Sequence, residues 1–271
     1  MIEPQPERLQ RCALLVAYDG TDFAGWQRQP GERTVQGELE RLFGALAGDR
    51  SVSVVAAGRT DSGVHAAGQV AHVDLPAERV DPEALLRAAR RMCPDDLAVE
   101  ALVPVDRDFH ARFRATRRTY RYTLALRHDP FTARYRYHPR RCPNVERLSL
   151  LAPLLLGRHD FTSFSKHNPD TPNTVCEVDR AEWRAFEDRL EFTVRADRFL
   201  YSMVRMLVGA QLAVEGGKRS REEITSAFAA PSRDHPFVPV PGHGLSLIAV
   251  SYPAAIFQTN SSDSLQRPTT V

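Results

Sequence analysis

Lysine is nearly missing from this chain: of its 36 basic residues only Lys166 and Lys218 are lysines, and the others are arginines. Arginine offers a planar fork for bidentate phosphate contacts and a face that stacks on bases. A coding bias towards arginine produces the same count, and a net charge of +2 does not by itself predict a polyanionic partner. Clustering must decide. Cysteine is also scarce. Cys12, Cys93, Cys142 and Cys176 stand far apart without a C-x-x-C pair, which excludes a zinc knuckle and a disulfide framework and suits reduced thiols in the cytoplasm. No run of about eighteen apolar residues is present, so no membrane-spanning helix is expected. The polar stretch Met1–Gln10 has no apolar core of a signal peptide, and a soluble cytoplasmic protein is expected. Metal-binding histidine spacings, P-loops and dinucleotide fingerprints are absent, and Ser163 and Ser165 lie in no nucleophile-elbow pattern, so no metal and no cofactor is expected.

The 271 residues, 42% of them hydrophobic, suffice for a large core, at a size where one core often divides into two. Residues 12–18 read as a buried strand ended by the turn pair Asp19-Gly20. Thr34 caps a helix that places Val35, Leu39, Leu42, Phe43 and Leu46 on one face before Gly48 stops it. Short strands follow at 51–56 and 69–75. Asp81 and Pro82 open a second helix that buries Leu85, Leu86 and Ala89. Residues 113–126 alternate strictly and predict one long strand. Beyond it the pattern predicts a helix over 144–156 with a kink at Pro153, strands over 175–184 and 190–196, and an apolar helix over 199–214. A short helix from about Arg221 and a strand over 245–252 complete the chain. Two α+β halves are expected: 11–127, and 144–253 beyond a connector at 128–143. Residues 1–10 are expected to be flexible, and 254–271, rich in Ser and Thr, to be a disordered tail.

Three constellations could carry chemistry. In Arg59-Thr60-Asp61-Ser62-Gly63, Asp-Ser-Gly is an ordinary turn signal. The same residues also suit a nucleophile: a carboxylate on a loop, flanked by small residues and oriented by a nearby arginine. The run from His110 to Tyr122 interleaves arginines with aromatics, the makeup of a nucleic-acid surface. Period two puts Arg118, Tyr120 and Tyr122 on one strand face; Tyr122 reads as core and Tyr120 as the border of a pocket. Finally, Arg205 stands in an apolar helix and must reach solvent, a carboxylate or a phosphate, because an unpaired buried charge is expensive.

These segments resemble the tRNA pseudouridine synthase A family over roughly residues 11–253. The resemblance rests on Tyr18-Asp19-Gly20, Gly25-Trp26-Gln27-Arg28-Gln29, Gly58–Ala66, Gln69-Val70, Phe109-His110-Ala111-Arg112-Phe113, Arg118-Thr119-Tyr120-Arg121-Tyr122, Asp160–Phe164 and Met203-Val204-Arg205. It implies the pseudouridine synthase fold, α+β, with two ferredoxin-like halves sharing a central, mainly antiparallel sheet and helices on one side. It implies a cofactor-free homodimer that isomerises uridines 38, 39 and/or 40 of the tRNA anticodon stem-loop after the base has flipped out. Asp61 then corresponds to the nucleophile, Arg59 to the residue that enters the helix as the base leaves, and Tyr120 to the tyrosine that packs on the uracil. Arg205 corresponds to the arginine that pairs with the aspartate, and Leu245 to a pocket wall; Arg118 is expected to contact the RNA. One carboxylate and a dry pocket suit cleavage of the base–ribose bond followed by its re-closure to carbon, whereas hydrolysis ordinarily needs a second carboxylate acting on water. A nucleic-acid glycosidase or hydrolase, and a non-catalytic RNA-binding module, remain the competing expectations.

Overall fold

The computed structural model describes residues 9–48, 51–234 and 237–257. The expected flexible N-terminus and tail lie mostly outside them, although Leu9 and Gln10 already belong to a strand. Internal packing divides the chain into two compact units. One comprises the residues up to Ala115 together with those from Val250 onward; the other is Thr116–Ala249.

The first unit contains β1 (Leu9–Tyr18), α1 (Val35–Ala47), β2 (Val54–Ala56), β3 (His65–Pro76), α2 (Pro82–Met92) and β4 (Leu97–Pro104). β1 is central, antiparallel to β3 on one side and to β4 on the other, and β2 pairs with β3. Cys12, Leu14 and Val16 are wholly buried along it. Local chemistry sets the helix ends. The Thr34 hydroxyl accepts from the Gly37 amide at 3.2 Å, and Gly48 closes α1 in the left-handed region at φ 70°, the conformation glycine adopts without a Cβ penalty. Asp81 caps α2 by accepting from the Ala84 amide at 3.1 Å.

The second unit holds β5 (Arg117–Ala125), α3 (Val145–Leu151), β6 (Gly157–Asp160), β7 (Val175–Ala185), β8 (Arg189–Ala196), α4 (Met203–Glu215), α5 (Arg221–Ala229) and most of β9 (Leu245–Ser251). Its strands run in the order β9-β5-β8-β7-β6, with β5–β8, β8–β7 and β7–β6 antiparallel. The fold is α+β, as expected, and mainly antiparallel. No helix among the described residues is long and apolar enough to cross a membrane.

Several boundaries differ from the sequence pattern. The strand expected over 113–126 begins only at Arg117, because residues 110–114 close into a turn with the Arg114 amide on the His110 carbonyl at 2.9 Å. α4 begins at Met203 rather than at 199: Ser202 holds φ 58°, and the Met203 amide bonds the Leu200 carbonyl in a separate turn. Pro153 does not kink α3. It lies in a 3-10 turn, Ala152–Leu155, that continues the helix more tightly. Neither β4 nor β6 was signalled by the pattern.

Candidate active site

The segment 57–64 joins β2 to β3 and is fastened at nearly every residue. The Ala57 amide bonds the Val70 carbonyl at 2.7 Å. Gln69, fully buried at 0% exposure, donates its Nε2 to the Gly58 carbonyl at 2.8 Å. Thr60 is buried and held twice: its Oγ1 lies 2.8 Å from the Tyr18 hydroxyl, and its carbonyl accepts from the Trp26 amide at 3.0 Å. The Ser62 hydroxyl and the Gly63 amide both donate to the Phe23 carbonyl, at 3.3 and 3.4 Å. The Asp61 carbonyl accepts from the Val64 amide at 3.2 Å, and Gly63 makes the turn at φ 73°. Arg59 and Ser62 are left exposed and Asp61 half-buried, with the buried Thr60 between Arg59 and Asp61.

The segment 20–26 is the other half of this clasp. Gly25 has φ 95°, and a Cβ on it would lie 2.8 Å from the Thr60 carbonyl oxygen, inside van der Waals contact. Glycine is needed there twice over, for its backbone angle and for the close approach. Burial pushes the Tyr18 phenol up to about 12, with Thr60 and Gln69 opposing through hydrogen bonds, so the hydroxyl keeps its proton near neutral pH. Tyr18, Gly25 and Gln69 stand in the motifs of the family resemblance, which attaches no role to them. A glutamine among apolar neighbours in β3 was the available signal, since a buried amide must find partners.

The remaining residues named from sequence lie in the second unit. Along β5, Arg118, Tyr120, Tyr122 and Leu124 are all buried, the face that period two picks out. Tyr120 is 7% exposed and meets Phe199 edge-on, ring centroids 5.0 Å apart. Tyr122 is core: its hydroxyl donates to the Pro241 carbonyl at 2.8 Å, and burial pushes its pKa up. Gly244 lies so close that a Cβ there would be 2.7 Å from the Tyr122 Cζ. Arg205 donates Nε to the Val240 carbonyl at 2.8 Å, and the Val240 amide returns a bond to the Arg205 carbonyl at 3.2 Å. Tyr122, Arg205 and residues 240–244 therefore form one hydrogen-bonded, packed knot. Leu245 follows directly, buried, as the first residue of β9. Arg118, expected to meet RNA, is 8% exposed and donates Nη1 to the Asp197 carbonyl at 2.6 Å.

Arg59 and Asp61 share one loop of the first unit, while Arg118, Tyr120, Arg205 and Leu245 are set by the β5–α4–β9 framework of the second. Also in the second unit, a cavity of about 290 Å³ is lined by His128, Arg136, Tyr137, His138 and His243, among others. Arg136 there bonds Asp188 at 2.5 Å.

The chain is similar to known proteins over most of its length. The profile of one family, tRNA pseudouridine synthase, matches residues 14–114 and 151–253. The tRNA pseudouridine synthase A of Halalkalibacterium halodurans is 44% identical over 244 residues, 88% of this chain and 90% of that protein. The protein of the same name from Cutibacterium acnes is 42% identical over 253 residues, covering 91% and 90%. That of Bacillus subtilis is 39% identical over 245 residues, covering 89% and 99%.

Proposed function

The chain belongs to the tRNA pseudouridine synthase family, and on that premise we propose that Asp61 is the nucleophile with which it isomerises uridine to pseudouridine in tRNA. The enzyme is an isomerase. The reaction cleaves the bond between ribose C1′ and uracil N1, turns the base, and closes a bond from C1′ to C5 while the C5 proton moves to nitrogen. Nothing is added or lost. Such a reaction needs one attacking group held still, and a site that keeps the detached base from escaping.

The observation that carries the assignment is the clasp around the 57–64 loop. A half-buried carboxylate sits between backbone anchors on both sides, on a turn whose neighbours at 62 and 63 are small. Ordering of this kind belongs to a group whose position matters, because preorganised placement is a large part of catalysis. Arg59, exposed two residues earlier, is proposed to enter the RNA helix as the uridine leaves it. Tyr120 is proposed to pack against the uracil, Arg205 to partner the aspartate, and Leu245 to wall the pocket. Arg118, bonded to the Asp197 carbonyl, is proposed to hold the start of β5, and with it Tyr120, for the substrate. The anticodon stem-loop as target, a homodimer as the working form and a cytoplasmic location belong to the same proposal and rest on the family resemblance.

The test is incubation with unmodified tRNA, without added metal or nucleotide, followed by nucleoside analysis of the anticodon arm. Pseudouridine with no free uracil is expected. Released uracil would mark a glycosidase, and unchanged tRNA bound tightly would mark a binding module; either result overturns the proposal.

A further inference from the structure

Phe113 is 76% exposed, an unusual position for a benzyl group set in so ordered a segment. Residues 109–113 form a tight turn. The amides of Arg112 and Phe113 both donate to His110 Nδ1, at 3.2 and 3.3 Å, and the Ala111 amide donates to His72 Nδ1 at 3.2 Å. The Ala111 carbonyl accepts from the Tyr252 hydroxyl at 2.7 Å. Three rings then pile outward from β3: His72 to His110 at 4.8 Å, and His110 to Phe113 at 4.3 Å with 33° between planes. Both imidazoles accept on Nδ1, and burial together with the Arg11 cation pulls both pKa values down, so the pile is uncharged at neutral pH. The Arg112 guanidinium lies over the Phe113 ring at 5.7 Å from its centroid, the ring still being 76% exposed, and Arg107 and Arg114 are exposed nearby.

We propose that Phe113, backed by His110, is a stacking platform for an unpaired base of the tRNA, with Arg112 placed for the phosphate beside that base. An exposed aromatic face, held rigid from behind and bordered by guanidinium groups, fits a nucleotide: the base gains π contact at little cost in side-chain entropy, and the cation meets the backbone. The face selects for an unstacked base rather than for duplex, whose base faces are already covered. The platform rests on the tRNA reading above and adds a substrate contact to those proposed there.

Three variants of the protein test it against unmodified tRNA: Phe113→Ala, Phe113→Trp and Arg112→Ala. Loss of one stacked base should weaken tRNA binding and raise KM about tenfold in Phe113→Ala, with kcat at saturating tRNA retained. The slope of log affinity against log salt should stay as in the parent, because stacking releases no counterions; Arg112→Ala should lower that slope. Phe113→Trp should restore affinity and report on it. Trp26 and Trp183 are buried, so quenching by tRNA of the exposed indole reads the stack directly. Unchanged affinity in Phe113→Ala, or full binding by Phe113→Trp without quenching, would overturn the platform. So would a change of oligomeric state with tRNA affinity preserved, which would assign the ring to a subunit interface. If the parent protein forms no pseudouridine, the fault lies with the functional reading instead.

Discussion

Asp61 is held through its neighbours' backbone and hydroxyl groups, so its placement should be sensitive to residues that never touch substrate. Tyr18 is the clearest case: wholly inside, protonated, and bonded at 2.8 Å to Thr60, next door to the aspartate. Tyr18→Phe removes that bond without changing shape, leaving the Thr60 hydroxyl short of a partner at a cost of about 1–3 kcal/mol. Steady-state kinetics should show kcat falling about tenfold while KM for tRNA stays within about twofold, since a misplaced nucleophile loses transition-state stabilisation and not binding. A raised KM with kcat intact would assign Tyr18 to substrate contact. Asp61 and Arg59 were legible in the sequence because their spacing is local and the surrounding motifs are specific. Tyr18 and Gln69 were not assigned roles, because their partners lie 42 and 11 residues away and nothing local announces such a pairing.

Among the elements, those with end signals were read most closely. α1 and α2 start and stop at their capping residues, Thr34, Gly48 and Asp81. Thr34→Ala should lower stability by about 1 kcal/mol, measured as a shift in urea midpoint with unchanged m. Gly25→Ala should cost more, because it meets both a left-handed backbone angle and the Thr60 carbonyl, and because its clash falls on the loop that carries Asp61, the proposed nucleophile, it should depress kcat as well. Equal activity in Gly25→Ala would show that the two loops do not depend on each other. The elements that escaped the sequence did so for physical reasons. β4 reads Leu-Ala-Val-Glu-Ala-Leu-Val-Pro, where Ala and Glu favour helix and only pairing with β1 makes it strand. At α4 the apolar run Phe199–Tyr201 looks helical, but the left-handed Ser202 interrupts it, and no local rule foretells that angle in a serine.

For the molecule as a whole, stability should fall on acidification in two stages. His72 is lowered from 6.5 to about 4 by burial and then by the Arg11 cation. The unfolded chain therefore binds a proton that the folded one refuses, and stability is lost as pH drops from about 6.5 to about 4. Asp74 and Asp188 are held below the ordinary carboxylate range by bonds from Arg11 and Arg136, so their contribution, present above about pH 4, is lost beneath it. Urea unfolding of the parent and of His72→Asn between pH 7 and 4.5 should show a flatter profile in the variant; parallel profiles would mean His72 titrates normally. The overall charge, only +2, gave little hint of a polyanionic substrate, which the family motifs supplied instead. The central claim concerns Asp61 itself, and Asp61→Asn tests it most directly, because the amide keeps the shape and removes the nucleophile. With unmodified tRNA, pseudouridine formation should fall by at least about a thousandfold while tRNA dissociation constants stay within about threefold of the parent. Substantial pseudouridine formation by Asp61→Asn would contradict the account.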